Sequence, residues 1–323
     1  MIEGNTSPEH AFFRAIIAPR CRNSYERRLK IISSPEPENW DSADFPFEIA
    51  LELTNHCNLR CVMCPVPNLK RKRGFMDETV FKRVVADISK EESGFVFLPQ
   101  GFGELFLHPQ WFNLLALART SDIRPIIVLS NGMLLNRQTS QRLIETVDAL
   151  VVTIDGVAKK TYESIRIQGN FDTVIRNIEN FLEMRGNDES PHLVLRIIRM
   201  QETEDEIGEF RNFWSGRIGR SDIIQVAQYN DWAGLVPDRE VTKTQVQRSR
   251  HPCRMLWKNF SVMYDGKVSP CCYDAEGELI IGNVLDQTVR DIWSGPVAKT
   301  LRDIHLRHQF HEIPICSRCS NWL

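Results

Sequence analysis

Short apolar segments alternate with amphipathic segments through most of the chain. The apolar segments are rich in Val, Ile, Leu and Phe, as buried parallel strands are. The predicted strands are 47–55, 94–101, 124–131, 149–155, 192–200 and 222–229. The intervening segments place apolar residues at helical spacing, and the predicted helices are 77–90, 110–119, 138–147, 171–185 and 203–214. This order of elements predicts repeated β/α units and a parallel sheet.

The number of repeats indicates the architecture. Six β/α units are too many for a small sandwich and too few for a closed eight-stranded barrel, so we expect an open, partial (β/α)6 barrel over residues 46–235. Residues 1–45 are predicted to form a helical N-terminal extension, with helical patterns at 11–17 and 25–32. In β/α barrels the reactive groups lie on the loops that follow the carboxyl ends of the strands.

The alternation stops near residue 235, and residues 236–323 are predicted to form a small cysteine-rich domain. Residues 238–250 are polar and are interpreted as a connector. Residues 259–272 predict a hairpin that turns at Asp265-Gly266, and residues 291–308 predict a helix broken at Gly295-Pro296.

Composition and charge exclude some functional classes. Of the 323 residues, 42% are hydrophobic and 25% are charged, and the formal net charge is -2. This balance favours neither a nucleic acid nor an anionic membrane as a partner. The N-terminus has no secretion signal, and no apolar run approaches the ~20 residues that span a bilayer. We therefore expect a cytoplasmic protein, and the basic run Arg71-Lys72-Arg73 is interpreted as a solvated face.

Nine cysteines in such a chain indicate metal ligation more than disulfides. Cys57, Cys61 and Cys64 follow the first predicted strand with C-x3-C-x2-C spacing. Three thiolates can hold three corners of a [4Fe-4S] cluster and leave the fourth iron open to a small ligand. By spacing alone, a zinc or structural site remains an alternative.

The triplet, with Met63 before its last cysteine, resembles the cluster loop of the radical S-adenosylmethionine enzymes, and the resemblance extends from residue 47 to residue 319. It implies that S-adenosylmethionine chelates the open iron through its amino and carboxylate groups. One-electron reduction, by a donor such as flavodoxin or ferredoxin, then cleaves the ligand to methionine and a 5′-deoxyadenosyl radical.

Further segments match positions at which that family contacts S-adenosylmethionine. Gly103-Glu104 resembles the element that accepts a hydrogen bond from the ligand's amino group, although Leu105 stands where a proline is usual. The ribose is expected at Ser130-Asn131. Thr153 and Arg166 are expected at the carboxylate, because the planar guanidinium matches a carboxylate. A surface ion pair is the alternative role for Arg166. The expected contacts are thus Met63, Gly103, Glu104, Ser130, Asn131, Thr153 and Arg166.

The C-terminal cysteines resemble the auxiliary-cluster domain of a subgroup of this superfamily (SPASM), in its short "twitch" form. Cys253, Cys271, Cys316 and Cys319 supply four thiolates, enough to close a second [4Fe-4S] cluster. The Gly-x4-Cys spacing favours Cys271, and its neighbour Cys272 is the alternative ligand. A tetrahedral zinc site would use the same four thiolates.

Two clusters together favour an oxidation. A substrate radical next to a hydroxyl or amine readily loses an electron once a proton is removed, and the second cluster can accept that electron. The layout resembles dehydrogenases that oxidise a sugar or aminocyclitol, which predicts a small-molecule substrate. The alternatives are crosslinking or epimerisation of a ribosomal peptide, and a non-catalytic iron–sulfur or zinc protein.

Candidate catalytic residues follow from position alone. Tyr229 and Asp231 lie at the end of the sixth predicted strand. Arg196 and Arg199 lie in the fifth, and because neighbouring side chains alternate in direction, only one of these two can face the barrel interior. An epimerase would need a spare cysteine near the barrel mouth; the spare cysteines are Cys21 and Cys272, and neither lies on a predicted strand.

Overall fold

The fold was obtained as a computed structural model, which describes residues 16–17, 19–42, 44–241 and 250–320. The α-helices are α1 (Pro19–Ile32), α2 (Glu78–Ile88), α3 (Trp111–Thr120), α4 (Arg137–Thr146), α5 (Lys159–Ile165), α6 (Phe171–Arg185), α7 (Ile207–Ser215), α8 (Val289–Trp293), α9 (Pro296–Leu306) and α10 (Pro314–Arg318). The strands are β1 (Glu48–Leu51), β2 (Val96–Leu98), β3 (Ile127–Ser130), β4 (Ala149–Thr153), β5 (His192–Arg199), β6 (Ile223–Gln228), β7 (Asn259–Val262), β8 (Lys267–Ser269) and β9 (Gly282–Asn283).

The first six strands run parallel in chain order. β1 pairs with β2, and β3 to β6 pair in succession. A single parallel bridge between Phe97 and Ile126 joins the two groups. The other edge of β1 pairs in parallel with β7, from Glu48 opposite Asn259 to Leu51 opposite Val262. Because β7 occupies the edge that a closed barrel would pair with β6, the barrel is open, as the repeat count predicts.

The alternation of side chains along β1 separates the core from the barrel interior. Ile49 and Leu51 point outward into the core and are fully buried. The same core contains the apolar face of α2, whose buried residues are Val80, Phe81, Val84, Val85 and Ile88. Glu48 and Glu52 have the opposite parity and point into the barrel. One inward-facing acid on β1 and another directly after it are unusual for a sheet buried on both faces. They place charge where a ligand can meet it.

The N-terminal extension closes the barrel at the end remote from the cysteine loop. Arg28 of α1 is 1% exposed and donates to the carbonyls of Phe45 and Gly94 at 2.6 and 2.5 Å. Its guanidinium also stacks on Phe47, 4.3 Å from the ring centroid. Helix α1 confirms the pattern at 25–32, whereas most of the pattern at 11–17 lies outside the described residues.

The predicted strands and helices of the barrel are all present, with ends that differ from the predicted ones by up to four residues. The pattern did not predict α5, which carries two buried positions, Tyr162 and Ile165, among charged residues. Beyond the barrel, the antiparallel β7–β8 hairpin confirms the predicted turn. Helices α8 and α9 are separated at Gly295 as expected.

The C-terminal region shares the barrel sheet through β7. Most of the predicted connector falls among residues 242–249, outside the described part, and the boundary at residues 235–236 stays a prediction. In the described ranges, no helix is both long enough and apolar enough to cross a membrane.

Candidate active site

A cavity of about 280 Å³ opens at the carboxyl ends of the barrel strands, where β/α barrels carry their reactive groups. We call it the first cavity. All seven predicted S-adenosylmethionine contacts and the three cysteines of the triplet line it: Cys57, Cys61, Met63, Cys64, Gly103, Glu104, Ser130, Asn131, Thr153 and Arg166. Segments up to 109 residues apart in the chain thus meet in one place, because they lie at or beyond the carboxyl ends of parallel strands of one barrel.

The cysteine loop is held by its backbone. Arg60 N donates to Ile167 O at 2.9 Å and Val62 N donates to Ile165 O at 3.0 Å, so the loop is bonded to the end of α5. Burial raises the pKa of Cys57 to about 11 and that of Cys64 to about 12. Buried thiols of this kind become thiolates when a cation compensates the charge. The donor set therefore fits a three-cysteine iron–sulfur cluster.

Gly103 is required by the packing of the cysteine loop. Its φ of +155° is unfavourable for residues with a side chain, and a Cβ at this position would collide with the carbonyls of Thr54 and His56. Glu104 N then donates to His56 O at 2.8 Å. The glycine thus lets the glutamate loop lie directly against the segment that leads into Cys57.

Glu104 is buried and bonded to the loop after β3. Ser130 Oγ donates to Glu104 Oε1 at 3.0 Å, and Asn131 N donates to Oε2 at 2.9 Å. The Asn131 side chain donates to Asn58 Oδ1 at 2.9 Å, which joins this group to the cysteine loop. Burial raises the pKa of Glu104 to about 7, so the site favours a cation or a proton beside this carboxylate.

Arg166 forms a buried ion pair with Asp155, which sequence reasoning did not single out. Arg166 Nε donates to Asp155 Oδ2 at 2.8 Å, and Nη1 points to Cys61 Sγ at 3.4 Å. Asp155 is fully buried, and Arg166 is only 9% exposed. Ile198 N also donates to Asp155, at 2.8 Å. The pair holds the guanidinium toward the cysteine loop, and it is not the surface pair considered as the alternative.

The candidate catalytic residues are placed differently from one another. Arg196 lines the first cavity and donates from Nε to Gln225 Oε1 at 2.6 Å. Arg199 points outward to Glu204, which agrees with the expected parity. Tyr229 donates to Pro237 O, and Asp231 accepts from Ser320 Oγ at 2.9 Å. Neither Tyr229 nor Asp231 is among the residues that line the cavities described here.

Two of the C-terminal cysteines, Cys271 and Cys272, line a second cavity of about 310 Å³. Burial raises the pKa of Cys271 well above its ordinary value, and the nearby charges of Cys272 and Cys253 raise it further. Burial likewise raises the pKa of Cys316 to about 12, and Cys253 and Cys319 add to the rise. The C-terminal cysteines, Cys272 included, thus influence one another as a group.

Cys272 faces a different environment from Cys271. Burial raises its pKa to about 12, and Glu48 on β1 and then Cys253 add to the rise. Within the described ranges, no three His, Cys, Asp or Glu side chains converge as ligands of a single metal ion. The thiolates of a [4Fe-4S] cluster each bind a different iron, so they need not converge on one point. The cysteine group fits such a cluster better than the zinc ion left open by the spacing.

The two cavities share a wall. The residues that line both are Gln100, Gly101, Phe102, Leu129, Arg196 and Trp232. Trp232 Nε1 donates to Met63 O in the cysteine loop at 2.9 Å. Its ring packs edge-on against Phe102 and against Tyr273, with centroids 5.2 and 5.8 Å apart. Trp232 therefore links the loops that carry the two sets of cysteines.

The basic run after the cysteine loop is only partly solvated, which corrects the sequence interpretation. Arg71 pairs with the buried Glu52 through two bonds of 2.6 and 2.5 Å. Arg73 donates to the carbonyls of Asn55 and Val66. Only Lys72 is exposed. Sequence reasoning missed these roles because their partners are distant in the chain.

Family models match two parts of the chain. The model of the Radical SAM superfamily matches residues 51–213, and the SPASM model, an iron-sulfur cluster-binding domain, matches residues 253–320. Among curated proteins, the mycofactocin maturase MftC of Mycobacterium tuberculosis is 27% identical over 139 residues. That segment is 42% of this chain and 34% of MftC, so the match spans about a third of that relative's own length.

Solved structures share the fold. BtrN in complex with AdoMet and 2-DOIA has a TM-score of 0.60 and 16% identity, covering 86% of this chain and 94% of BtrN. SuiB of Streptococcus suis bound to precursor peptide SuiA has a TM-score of 0.66 and 15% identity, covering 82% of this chain and 69% of SuiB. At these identities the likeness concerns the fold alone.

Proposed function

The chain belongs to the radical SAM superfamily and carries a C-terminal SPASM domain, and from this premise we propose that it oxidises a small hydroxylated molecule, such as a sugar or aminocyclitol. Enzymes of this family use S-adenosylmethionine and [4Fe-4S] clusters. The chemistry that the bound ligand supplies is hydrogen-atom abstraction by a 5′-deoxyadenosyl radical. A small electron-transfer protein such as flavodoxin or ferredoxin is proposed as the reductant.

The shared wall is the observation that carries this proposal. A substrate held against Arg196 and Trp232 touches both cavities. One cavity contains Cys57, Cys61 and Cys64, and the other contains Cys271. A substrate in this position can give up a hydrogen atom on one side and an electron on the other.

Size and polarity support a small hydroxylated substrate. The second cavity, in which the substrate is proposed to lie, has a volume of about 310 Å³, at the lower end of the range for ligand cavities. The second cavity is lined by Asn259, Ser261 and Ser269, whose side chains both donate and accept hydrogen bonds. The fold itself does not choose between substrates, since BtrN is solved with 2-DOIA and SuiB with a precursor peptide.

Arg196 is the proposed catalytic residue. A guanidinium does not lose its proton in proteins, so it stabilises an alkoxide and does not act as a base. The substrate alcohol R₂CH–OH would lose one hydrogen atom to the deoxyadenosyl radical, one electron to the auxiliary cluster and one proton to water in the cavity, giving R₂C=O.

The assignments of individual residues to the cofactors are part of the same proposal. The cluster ligands are Cys57, Cys61 and Cys64 in the barrel, and Cys253, Cys271, Cys316 and Cys319 in the C-terminal region. The amino group of S-adenosylmethionine is assigned to Glu104, the ribose to Ser130 and Asn131, and the carboxylate to Thr153 and Arg166. The proposed units are residues 1–45, 46–235 and 236–323.

Epimerisation is a second candidate, and the position of Cys272 favours it. Cys272 lies in the loop that follows β8 and not on a barrel strand, yet it lines the second cavity. A thiol there can return a hydrogen atom to the opposite face of a substrate radical. The sequence argument against an epimerase, which rested on strand position, therefore does not hold for this cysteine.

An anaerobic experiment separates the two candidates. The reconstituted protein would be incubated with S-adenosylmethionine, reductant and a panel of amino sugars, aminocyclitols and short peptides in D₂O. Oxidation yields a product two mass units lighter than its substrate, together with 5′-deoxyadenosine. Epimerisation yields an isomer carrying one deuterium, and Cys272→Ala would abolish it. If no deoxyadenosine forms, both candidates are refuted.

Iron content tests the ligand assignment. Wild type is expected to bind about eight irons per chain, from two four-iron clusters. Cys271→Ala is expected to lose one cluster, whereas Cys272→Ala retains both. The reverse result would assign Cys272 as the ligand, and zinc in the Cys271 site would refute the auxiliary cluster.

A further inference from the structure

We propose that Glu48 is the recognition site for a protonated amine on the substrate. This inference rests on the proposed function, because it takes the second cavity as the place where the substrate lies. It narrows the substrate class from hydroxylated compounds to hydroxylated amines, in which the ammonium group meets Glu48 and the hydroxyl groups meet neutral side chains nearby.

Strand pairing places Glu48 on a polar floor of the second cavity. β1 and β7 run parallel with Glu48 opposite Asn259 and Ala50 opposite Ser261. All four residues line the cavity. Asn259 Nδ2 donates to Ser261 Oγ at 2.9 Å, so the amide and the hydroxyl form one hydrogen-bonding surface. The Glu48 carboxylate thus lies at one end of a row of neutral hydrogen-bonding groups, the Asn259 amide and the Ser261 hydroxyl.

Glu52 and Asp274 also line this cavity, but their carboxylates are compensated by the protein. The two Glu52 oxygens accept from both terminal nitrogens of Arg71 at 2.6 and 2.5 Å, and Phe102 N donates to one of them at 3.0 Å.

Asp274 is held by three hydrogen bonds from the protein. It accepts from Ser269 Oγ at 3.0 Å and from the amides of Glu278 and Leu279 at 2.8 and 2.9 Å. A ligand would have to displace structural bonds to reach either Glu52 or Asp274.

Glu48 is held less tightly than Glu52 and Asp274, because its ion pair is long. Lys258 Nζ lies 3.8 Å from Glu48 Oε1, and each side chain is 27% exposed. A partly exposed ion pair at this distance contributes little to stability. A substrate ammonium can therefore replace the lysine at small cost, and a charge-assisted hydrogen bond of normal length would be stronger than the contact it replaces.

The test is a ligand-observed NMR titration of the anaerobically reconstituted protein with S-adenosylmethionine present. The probes are glucosamine and glucose, which differ only in an amine or a hydroxyl at one carbon. Wild type is expected to bind glucosamine about tenfold more tightly, the ratio that corresponds to one charge-assisted hydrogen bond. Glu48→Gln is expected to bind the two probes equally.

Two further variants make the result specific. Lys258→Met removes the competing cation and is expected to increase glucosamine affinity without changing glucose affinity. Glu183→Gln removes a carboxylate that is 69% exposed on the outer face of α6 and is expected to behave as wild type. Equal binding of both probes by wild type, or an amine preference that survives in Glu48→Gln, would overturn the proposal.

The readout also separates this inference from the proposed function. If oxidation is not observed but the Glu48-dependent amine preference is, the subsite stands and the reaction assignment fails. If substrates without an amine are oxidised as well as amines, and Glu48→Gln changes neither rate, the subsite fails while the oxidation stands.

Discussion

The buried pair Asp155–Arg166 allows a matched test of the S-adenosylmethionine site. A second buried aspartate–arginine pair, Asp222–Arg185, lies away from both cavities, with bonds of 2.5 and 2.7 Å. Both aspartate side chains are fully buried, and both also accept a backbone amide, from Ile198 and from Leu193, at 2.8 Å. The two pairs thus share a buried aspartate that meets one arginine and one backbone amide. They differ in their position relative to the cysteine loop, and Asp222 also accepts from Gly219 N at 2.7 Å.

Asp155→Asn and Asp222→Asn should destabilise the chain to a similar extent. Each substitution leaves a buried arginine without its counter-charge, which costs roughly 3–5 kcal/mol. Their effects on the ligand should differ. Asp155→Asn frees the Arg166 guanidinium to turn away, and losing one charge-assisted contact of about 1.5–3 kcal/mol weakens S-adenosylmethionine binding roughly 10–100-fold. Asp222→Asn should leave that affinity unchanged.

The assay has two parts. Urea unfolding of the cluster-free proteins gives the change in the free energy of unfolding, and equilibrium dialysis of the reconstituted proteins gives the affinity for S-adenosylmethionine. Iron content is measured in each sample, so that loss of the cluster is not mistaken for loss of the ligand contact. Unchanged affinity in Asp155→Asn, with full iron content, would refute the assignment of Arg166 to the ligand.

Three further predictions concern single residues. The folded-state pKa of Glu104 is raised to about 7, above its ordinary value of 4.5, so the cluster-free protein loses stability as the pH rises from about 4.5 through 7. Glu104→Gln should remove this dependence in urea unfolding and also weaken S-adenosylmethionine binding; a pH profile identical to wild type would contradict the buried carboxylate. Trp232→Phe keeps an aromatic side chain but loses the hydrogen bond to Met63 O, which contributes about 1 kcal/mol. It should slow deoxyadenosine formation several-fold with both clusters retained, and an unchanged rate would show that the bond has no role in the site. Arg28→Met leaves buried carbonyls unpaired and should lower the free energy of unfolding by about 1–3 kcal/mol. Its affinity for S-adenosylmethionine should equal that of wild type, and a loss of affinity at full stability would contradict a purely structural role.

Several features could be read from local sequence. The barrel strands and the amphipathic helices between them follow from periodicity, since a buried parallel strand and a one-sided helix each impose their own repeat. The C-x3-C-x2-C motif and its position after the first strand likewise needed no tertiary information. Helix α5 was missed because only Tyr162 and Ile165 of its seven residues are buried, which is too short a pattern to detect.

Long-range pairing decided what the sequence left open. The inward-facing residue of the pair Arg196 and Arg199 could be identified only once β5 was placed. Strand parity predicts that their side chains lie on opposite faces but does not say which one faces inward. The partners Asp155 for Arg166 and Glu52 for Arg71 lie 11 and 19 residues apart in the chain, and no local pattern records such pairs. The basic run Arg71-Lys72-Arg73 was interpreted as solvated because the sequence does not show these partners.

The sequence by itself therefore indicated the class of chemistry through its resemblance to a known family, because the motifs that carry this resemblance are local. The tertiary structure decided which groups share a space. The pairing of β7 with β1 leaves the barrel open, places the C-terminal cysteines beside its interior and makes Glu48 part of a cavity floor. That pairing joins segments more than 200 residues apart, and its stability comes from backbone hydrogen bonds and burial that no short stretch of sequence specifies.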